Sequence, residues 1–574
     1  MLARTRRWKI AASTPAHFLS RFPDLHPLIV QVLYNRIPDP DQAISFLEEF
    51  SGLDDPFRLQ DMSLAVTRLR EAIRAGEPIA VYGDFDADGV TATALLVLTL
   101  RSLGAEVHPY IPHRVDEGYG LNEEALTELA EKGVRVVVTV DCGVRSVEEV
   151  AHARRAGMDV IITDHHTLGD RLPDAVAVLD PRRADSPYPY AQLAGVGLAY
   201  KLAQALLRTN GRVPIRQNPH IEEEHLLGLV ALGTVADLAP LTGENRHLVR
   251  GGLERLNTAP RPGLAALMRQ AGVQPGSVDE DTIGYSLAPR LNAAGRVGHA
   301  KVAYQLLVAE YPSEAEWLAQ ELDQLNRHRQ DLTAAAMARA HEIVLAQRGE
   351  EAPLLFVAAP DLPSGVVGLV ASRLLEAYYR PAVVVEVGEE TSRGSARSIP
   401  EFHVTEALET CADLLVRYGG HREAAGFTVR TEDLPKLRRH LLDRAKGILD
   451  GQELVATLNA DARVPLRAMG WDLWENLQRL RPFGAGNPEP LFVSEDVVVR
   501  HHRAVGADGA HLKLYLFDGG MVWDGIAFRQ GDWFDKLPDR IDIAYHLQLN
   551  EWRGERNLQL NVQDIRPSVV GEVV

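Results

Sequence analysis

Two cysteines, Cys142 and Cys411, are all that 574 residues contain. With so few thiols no disulfide framework is implied, and a reducing cytoplasm is the expected compartment. No run approaches the ~18 consecutive apolar residues of a membrane helix. The opening MLARTRRWKIAAS is basic, but its apolar stretch is far too short for a secretory signal. Positive charge is also scarce: 61 Lys and Arg against 79 Asp and Glu leave a net charge of −18. That balance argues against a general nucleic-acid coat, because affinity for phosphate backbones comes from Lys and Arg. It leaves room for a narrow basic channel inside an acidic body. Internal repeats and low-complexity segments are missing too. What remains, 46% hydrophobic and 24% charged, is ordinary globular composition, in a chain long enough for about three or four domains.

From 78 to 181 apolar, β-favouring runs alternate with helical stretches. The runs are PIAVYGDFD, EVHPYIP, VRVVVTVDCG, MDVIITDHH and AVAVLDP, with helices expected around 89–103, 121–132 and 146–157. Continuous apolar strands separated by helices predict a parallel sheet covered on both faces. Residues 190–347 read as mostly helical, and 313–347 as a long charged amphipathic helix joining two domains. A second α/β pattern begins near 352 with PLLFVAA, a helix over GLVASRLLEAYY, and PAVVVEV. From about 455 short strands with regular turns and many aromatics (Trp523, Phe528, Trp533, Phe534, Tyr545, Trp552) predict a small β-barrel of the OB type. Trp523 and Tyr545 are expected in its core.

The chemistry concentrates at strand ends. GDFDADG, residues 83–89, places Asp84, Asp86 and Asp88 in alternation, and such close carboxylates repel unless something positive lies among them. A calcium loop begins in the same way but needs a glutamate at its twelfth position, where this chain has Leu95. A solvated acidic turn is the plain alternative. Three further segments weigh against it. VVVTVDCG ends on Asp141, VIITDHH ends on Asp164, His165 and His166, and LVALGTVADLAPL holds Asp237 in an apolar stretch. Singly, Asp141 reads as a helix cap, Asp237 as a buried paired carboxylate, and the histidines as surface residues. Parallel strand ends lie side by side, however, so together these groups converge where open sheets place their sites. Carboxylates with imidazole suit Mn2+ or Mg2+ better than zinc, and so many carboxylates suit two ions. Asp164 is a candidate to orient a ligating histidine, and Cys142 is read as packing.

GDFDADG, VDCG, DHH and VADLAPL, in this order and spacing, resemble the four motifs of the DHH phosphoesterase superfamily, and YGGHREAAGF resembles the Gly-Gly-His motif of the DHH-associated domain. NRIPDPDQAISFLE, DDPFRLQDM, GVGLAYKL, APRLNAAGRVG and RPFGAGNPEP narrow the resemblance, over roughly 25 to 567, to its single-strand-specific 5′→3′ exonucleases. The resemblance implies an N-terminal extension (1–75), a DHH domain (76–312), a connecting helix (313–347), a DHH-associated domain (348–452) and an OB-type domain (453–574). It implies two Mn2+ or Mg2+ ions held by Asp86, Asp88, Asp141, His165 and Asp237, with Asp141 bridging. Asp84 would be a further ligand or stand one hydrogen bond away, and His166 would face metal or the scissile phosphate. Some relatives carry a histidine upstream of the first acidic pair; Tyr82 stands near that place here.

An exonuclease also needs groups that hold phosphate. Arg114 follows a strand end. Arg290, Asn292 and Arg296 lie among small residues. Ser372 and Arg373 are expected near a helix start suited to anions. Gly420 and His421 belong to the Gly-Gly-His motif, where glycine permits close backbone approach. The resemblance implies hydrolysis of single-stranded DNA from its 5′ end to 5′-mononucleotides, in DNA recombination and repair. Single-strand-binding protein and a RecQ-type helicase are the implied protein partners, with no membrane contact and a monomeric chain. The competing readings are a short-oligonucleotide or cyclic-dinucleotide phosphodiesterase and an inactive replication scaffold. The barrel argues against the first and the intact acids against the second.

Overall fold

The computed structural model describes residues 6–48, 54–114, 117–118, 120–216, 219–347, 352–552 and 554–568. Two compact units divide the chain: Gly52–Gln452, and Met1–Ser51 with Glu453–Val574.

The larger unit opens on a five-stranded sheet in the spatial order Val107–Tyr110, Ile79–Gly83, Val136–Val140, Asp159–Thr163, Ala177–Leu179, every pair parallel. IAVYG and VVVTV are buried at every position, which is why they read as unbroken apolar runs. Helix Ala87–Ser102 is buried along nearly all its length, because helices Gly195–Arg212 and Glu223–Ala236 pack over it. From Ile79–Gly83 the chain steps outward to Val107–Tyr110, then returns to Val136–Val140 on the other side. The carboxyl ends of Ile79–Gly83 and Val136–Val140 therefore flank a topological switch point, where sheets of this kind bind ligands.

Helix Pro312–Ala346 is 35 residues long. Ala315, Leu318, Ala319 and Leu322 belong to the core beneath the parallel sheet, whereas Ala336, Ala340 and Val344 belong to that of a second sheet. This second sheet runs Leu415–His421, Ala424–Arg430, Thr391–Arg397, Ala382–Glu386, Leu355–Ala359. Only its last pair is parallel.

In the smaller unit, strands Phe492–Val505, His511–Asp518, Met521–Ala527, Glu555–Pro567 and Arg540–Trp552 close into a barrel, since Phe492–Val505 pairs with both His511–Asp518 and Arg540–Trp552. Three of these strands run 13 or 14 residues, longer than the short strands expected. Register shifts at Ser494/Val497 and Val499/His501 bend one of them and break its alternation. Trp523 and Tyr545 are buried in the core, Trp533 is half-buried, and Phe528 and Phe534 are exposed; the Trp552 side chain lies outside the described residues. Strand Arg7–Ile10 pairs in parallel with Thr457–Ala460, so the start of the chain belongs structurally with its last domain.

Candidate metal centre and phosphate cleft

Register builds the centre. Gly83 pairs with Val140, Val140 with Thr163, and Thr163 with Leu179, so the next residues, Asp84, Asp141, Asp164 and Asp180, form one row along the carboxyl edge. Asp86 caps helix Ala87–Ser102, one of its oxygens accepting from the Gly89 amide at 3.0 Å. Asp88, in the first turn of that helix, accepts from the Gly195 and Val196 amides at 2.7 and 2.9 Å. Asp237 sits at the opposite kind of place, the C-terminus of helix Glu223–Ala236, where the helix dipole disfavours an anion.

The imidazole of His165 gathers these acids. Its Nε2 lies 3.0 Å from Asp141 Oδ1, 3.8 Å from Asp88 Oδ2 and 3.9 Å from Asp237 Oδ2. Burial, and then the neighbouring His166, lower its pKa to about 3, and its ring is tied to the Leu193 carbonyl. A neutral ring donating there turns a bare lone pair toward carboxylate oxygens. Both His165 Nε2 and Asp141 Oδ1 are buried with no hydrogen-bond partner among the described residues. Acceptor facing acceptor in a buried place fits a cation. Ligand atoms of Asp141, His165 and His166, of Asp88, His165 and Asp237, and of Asp84, Asp86 and Asp141 each lie within 4.8 Å of one another. The acids are therefore positioned to form a metal site.

The carboxylates register the same crowding. Burial first, and then repulsion from Asp86, raise Asp84 and Asp88 to about 7. Burial with Asp88 and Asp86 raises Asp237 to about 8, and Asp141 is pushed well above the usual carboxylate range. Asp164 behaves differently. Burial opposes its charge, but the His166 Nδ1 contact at 2.7 Å and the amides of Val144 and His166 hold it below the ordinary value. Its partner His166 rises to about 9 against its own burial. Asp164 thus orients His166, while the Leu193 carbonyl orients His165. Tyr82 is buried and donates to the Gly120 carbonyl, and Cys142 is buried, its Sγ 3.8 Å from the Tyr82 carbonyl.

Beside the acids opens a cleft of about 310 Å³ between the parallel sheet and the second sheet. Arg114, Arg296, Arg393, Arg397 and Arg417 line it, and Glu117 is the one carboxylate among its described lining residues. The Arg114 guanidinium lies 4.8 Å over the Phe85 ring, within the charge field of Asp84 and Asp86. Burial first, and then the charges of Arg114, Arg329 and Arg397, lower Arg296 to about 9. Asn292 accepts from the Ala87 amide at 2.9 Å and so braces the acidic loop. Arg290 is paired with Asp323 at 3.0 Å.

Ser372 and Arg373 do not lie near a helix start. They occupy the middle of helix Ser364–Tyr378, and the Ser372 hydroxyl donates to the Gly368 carbonyl. The helix begins after Pro363, so Ser364 and Gly365 line the cleft instead. Gly420 has φ of 152° on strand Leu415–His421, and the exposed His421 feels the charges of His166, Arg182 and Arg145. Sequence reading missed Arg393, Arg397, Arg417 and Asp180, whose pKa burial raises to about 6.

Residues 78–234 match the DHH family, N-terminal domain, 351–447 the DHHA1 domain, and 460–564 the RecJ OB domain. The single-stranded-DNA-specific exonuclease RecJ of Bacillus subtilis is 39% identical, over 98% of this chain and 71% of its own length. Its namesake from Escherichia coli is 37% identical, over 89% and 91%. The crystal structure of RecJ from Thermus thermophilus in complex with Mn2+ superposes with a TM-score of 0.83 at 32% identity, covering 98% of this chain and 80% of that one. The same Thermus protein with Mg2+ superposes with a TM-score of 0.78. All three domains occur in order and the identity holds across nearly the whole length, so the chain belongs to the RecJ family of DHH phosphoesterases.

Proposed function

We propose that this chain hydrolyses single-stranded DNA from the 5′ end, releasing 5′-mononucleotides, in DNA recombination and repair. The observation that carries the reading is a buried carboxylate–imidazole cluster opening beside a cleft with five arginines. Negative metal ligands and cationic groups side by side suit a phosphate ester. The relatives named above act, by name, on single-stranded DNA.

Asp86, Asp88, Asp141, His165 and Asp237 would hold two Mn2+ or Mg2+ ions, with Asp84 as a sixth ligand. Such a pair supplies activation of water and neutralisation of charge at the phosphate. The chain's own groups do the rest. Arg114 and Arg296, with Arg393, Arg397 and Arg417, grip phosphate oxygens in the cleft. His166, kept cationic by Asp164, contacts the scissile phosphate. Gly420 lets the strand approach and His421 meets it from the second sheet. Arg290 and Arg373, both within the charge field of Arg329, guide the continuing backbone, while Ser372 stays bonded within its helix. The reading carries with it a cytoplasmic, monomeric enzyme working beside single-strand-binding protein and a RecQ-type helicase.

The test is a long single strand labelled at either end, incubated with Mn2+, with EDTA, or with Asp141→Ala. Early release of a labelled mononucleotide from the 5′ end alone, abolished by chelation and by the substitution, is expected. Intact long strands with dinucleotides cleaved would assign the chain to small substrates instead.

A further inference from the structure

Two large apolar side chains stand in solvent, one directly after Asp237 and one on a turn that packs against the helix leading to Asp237. Leu238 is 76% exposed and Tyr285 is 82% exposed, and both rest on irregular backbone. Leu238 directly follows Asp237 and has φ of 59°, a left-handed conformation that a residue with a side chain adopts only at a cost and that gathers at functional sites. Tyr285 rides on a π-helical turn, Thr282–Leu287, an irregularity with the same habit. The two turns pack together. A side-chain carbon placed on Gly284 would lie 4.0 Å from Val235 Cγ1, and the Leu238 amide donates to the Val235 carbonyl at 3.2 Å. The π turn runs directly into helix Ala288–Val297, whose Asn292 holds the Ala87 amide. The turn of Tyr285 thus touches the helix that ends at Asp237 and leads into the helix that holds the loop of Asp86 to Asp88, while Leu238 follows Asp237 itself.

Folding gains little from an exposed leucine in left-handed backbone or an exposed tyrosine on a distorted turn. Single exposed apolar residues need no explanation; two of them, on adjoining strained turns next to a nuclease centre, point to a flat apolar ligand. We propose that Tyr285 and Leu238 form the base-contact surface of the site. The tyrosine ring stacks on a nucleobase and Leu238 packs against the same nucleotide, so the nucleotide at the acids is held by its base as well as its phosphate. Every base offers a π face, so the contact carries no sequence preference. It also requires a base free of its own stacking partners, which favours an unpaired strand. The inference rests on the single-strand nuclease reading given above.

The experiment uses the full chain with Mn2+ and a single strand bearing one internal abasic nucleotide. The unsubstituted protein should slow roughly tenfold at that position, within the range one stacked base supplies. Tyr285→Ala should raise KM at ordinary nucleotides by a similar factor and show no additional delay at the abasic one. Tyr285→Phe should behave as the unsubstituted protein, because stacking needs the ring and not the hydroxyl. Leu238→Gly, which relieves the left-handed backbone, should raise both the melting temperature and KM. Mn2+ affinity by calorimetry should be unchanged in Tyr285→Ala. A Tyr285→Ala protein that keeps the abasic delay, or that loses Mn2+ affinity along with rate, overturns the proposal. An unsubstituted protein that leaves every single strand intact overturns the nuclease reading itself, and the base contact with it.

Discussion

The third strand ends by turning left-handed at Asp141, with φ of 62°, and Gly195 leaves the space for its carboxylate. A side-chain carbon at Gly195 would lie 2.7 Å from both Cβ and Oδ1 of Asp141, closer than such atoms ever sit. The amide of this same glycine donates to Asp88 at 2.7 Å. One glycine therefore sets two of the proposed ligands, as neighbours of metal ligands commonly do. Gly195→Ala should leave the sheet folded while weakening Mn2+ binding about 10- to 100-fold, the usual effect of disturbing such support. A calorimetric titration decides it, and an affinity equal to that of the unsubstituted protein would show that Asp141 has another way to settle. His166 illustrates a different residue-scale lesson. Its charge is set by Asp164 two positions earlier, so the DHH triplet places an orienting carboxylate, the proposed ligand His165 and a cation in consecutive positions.

At the scale of elements, helix Pro312–Ala346 joins two cores, and it carries a buried charged contact at Asp323. That carboxylate, nearly buried, meets Arg290 at 3.0 Å and Arg327 at 2.7 Å. Asp323→Ala would leave Arg290 largely buried without its counterion, next to the charge of Arg329. A loss of about 3 kcal/mol in denaturant unfolding is expected, because stranding one partner of a buried pair costs far more than the pair contributes. Replacing Arg290 by Met as well should recover most of it; a loss under about 0.5 kcal/mol would mark the pair as neutral. Elements also decide what was legible. The parallel strands could be read because they are continuous apolar runs, and their terminal acids could be read because ends of similar strands align. Arg393, Arg397 and Arg417 could not, since each alone looks like a solvated position. They form a cleft only after Thr391–Arg397, Ala424–Arg430 and Leu415–His421 pair. Asp180 shares the row of Asp84 and Asp141 through register alone. The pairing of Arg7–Ile10 with Thr457–Ala460 spans nearly the whole chain, and no local pattern announces such a contact. Ser372 and Arg373 were misplaced because the helix start is fixed by Pro363, nine and ten residues earlier.

For the whole molecule, the net charge is −18, and several of its carboxylates are crowded at one buried point, which pH should expose. Burial and mutual repulsion hold protons on Asp84 and Asp88 up to about 7 and on Asp237 up to about 8. In the unfolded chain such groups lose their protons near 4. Between these limits the folded state binds more protons, so without metal its stability falls as pH rises. His166 acts in the same direction, and His165, lowered to about 3, opposes it only below about 6.5. The pairing of His166 with Asp164 contributes fully below about 6.5 and is lost as pH climbs through about 9. A divalent cation substitutes for the missing protons, so binding releases protons and tightens with pH, and the bound ion stabilises the fold by mass action. Calorimetric melting between pH 5.5 and 8.5 should therefore show the transition of the Gly52–Gln452 unit moving down with pH in EDTA. In saturating Mn2+ it should stay level or rise, so the gap between the two curves widens toward alkaline pH. Matched ionic strength in NaCl removes the general screening that any acidic protein enjoys. A gap that stays constant across this range would mean that the carboxylates are already ionised without the cation, and that the crowding at His165 is relieved in some other way.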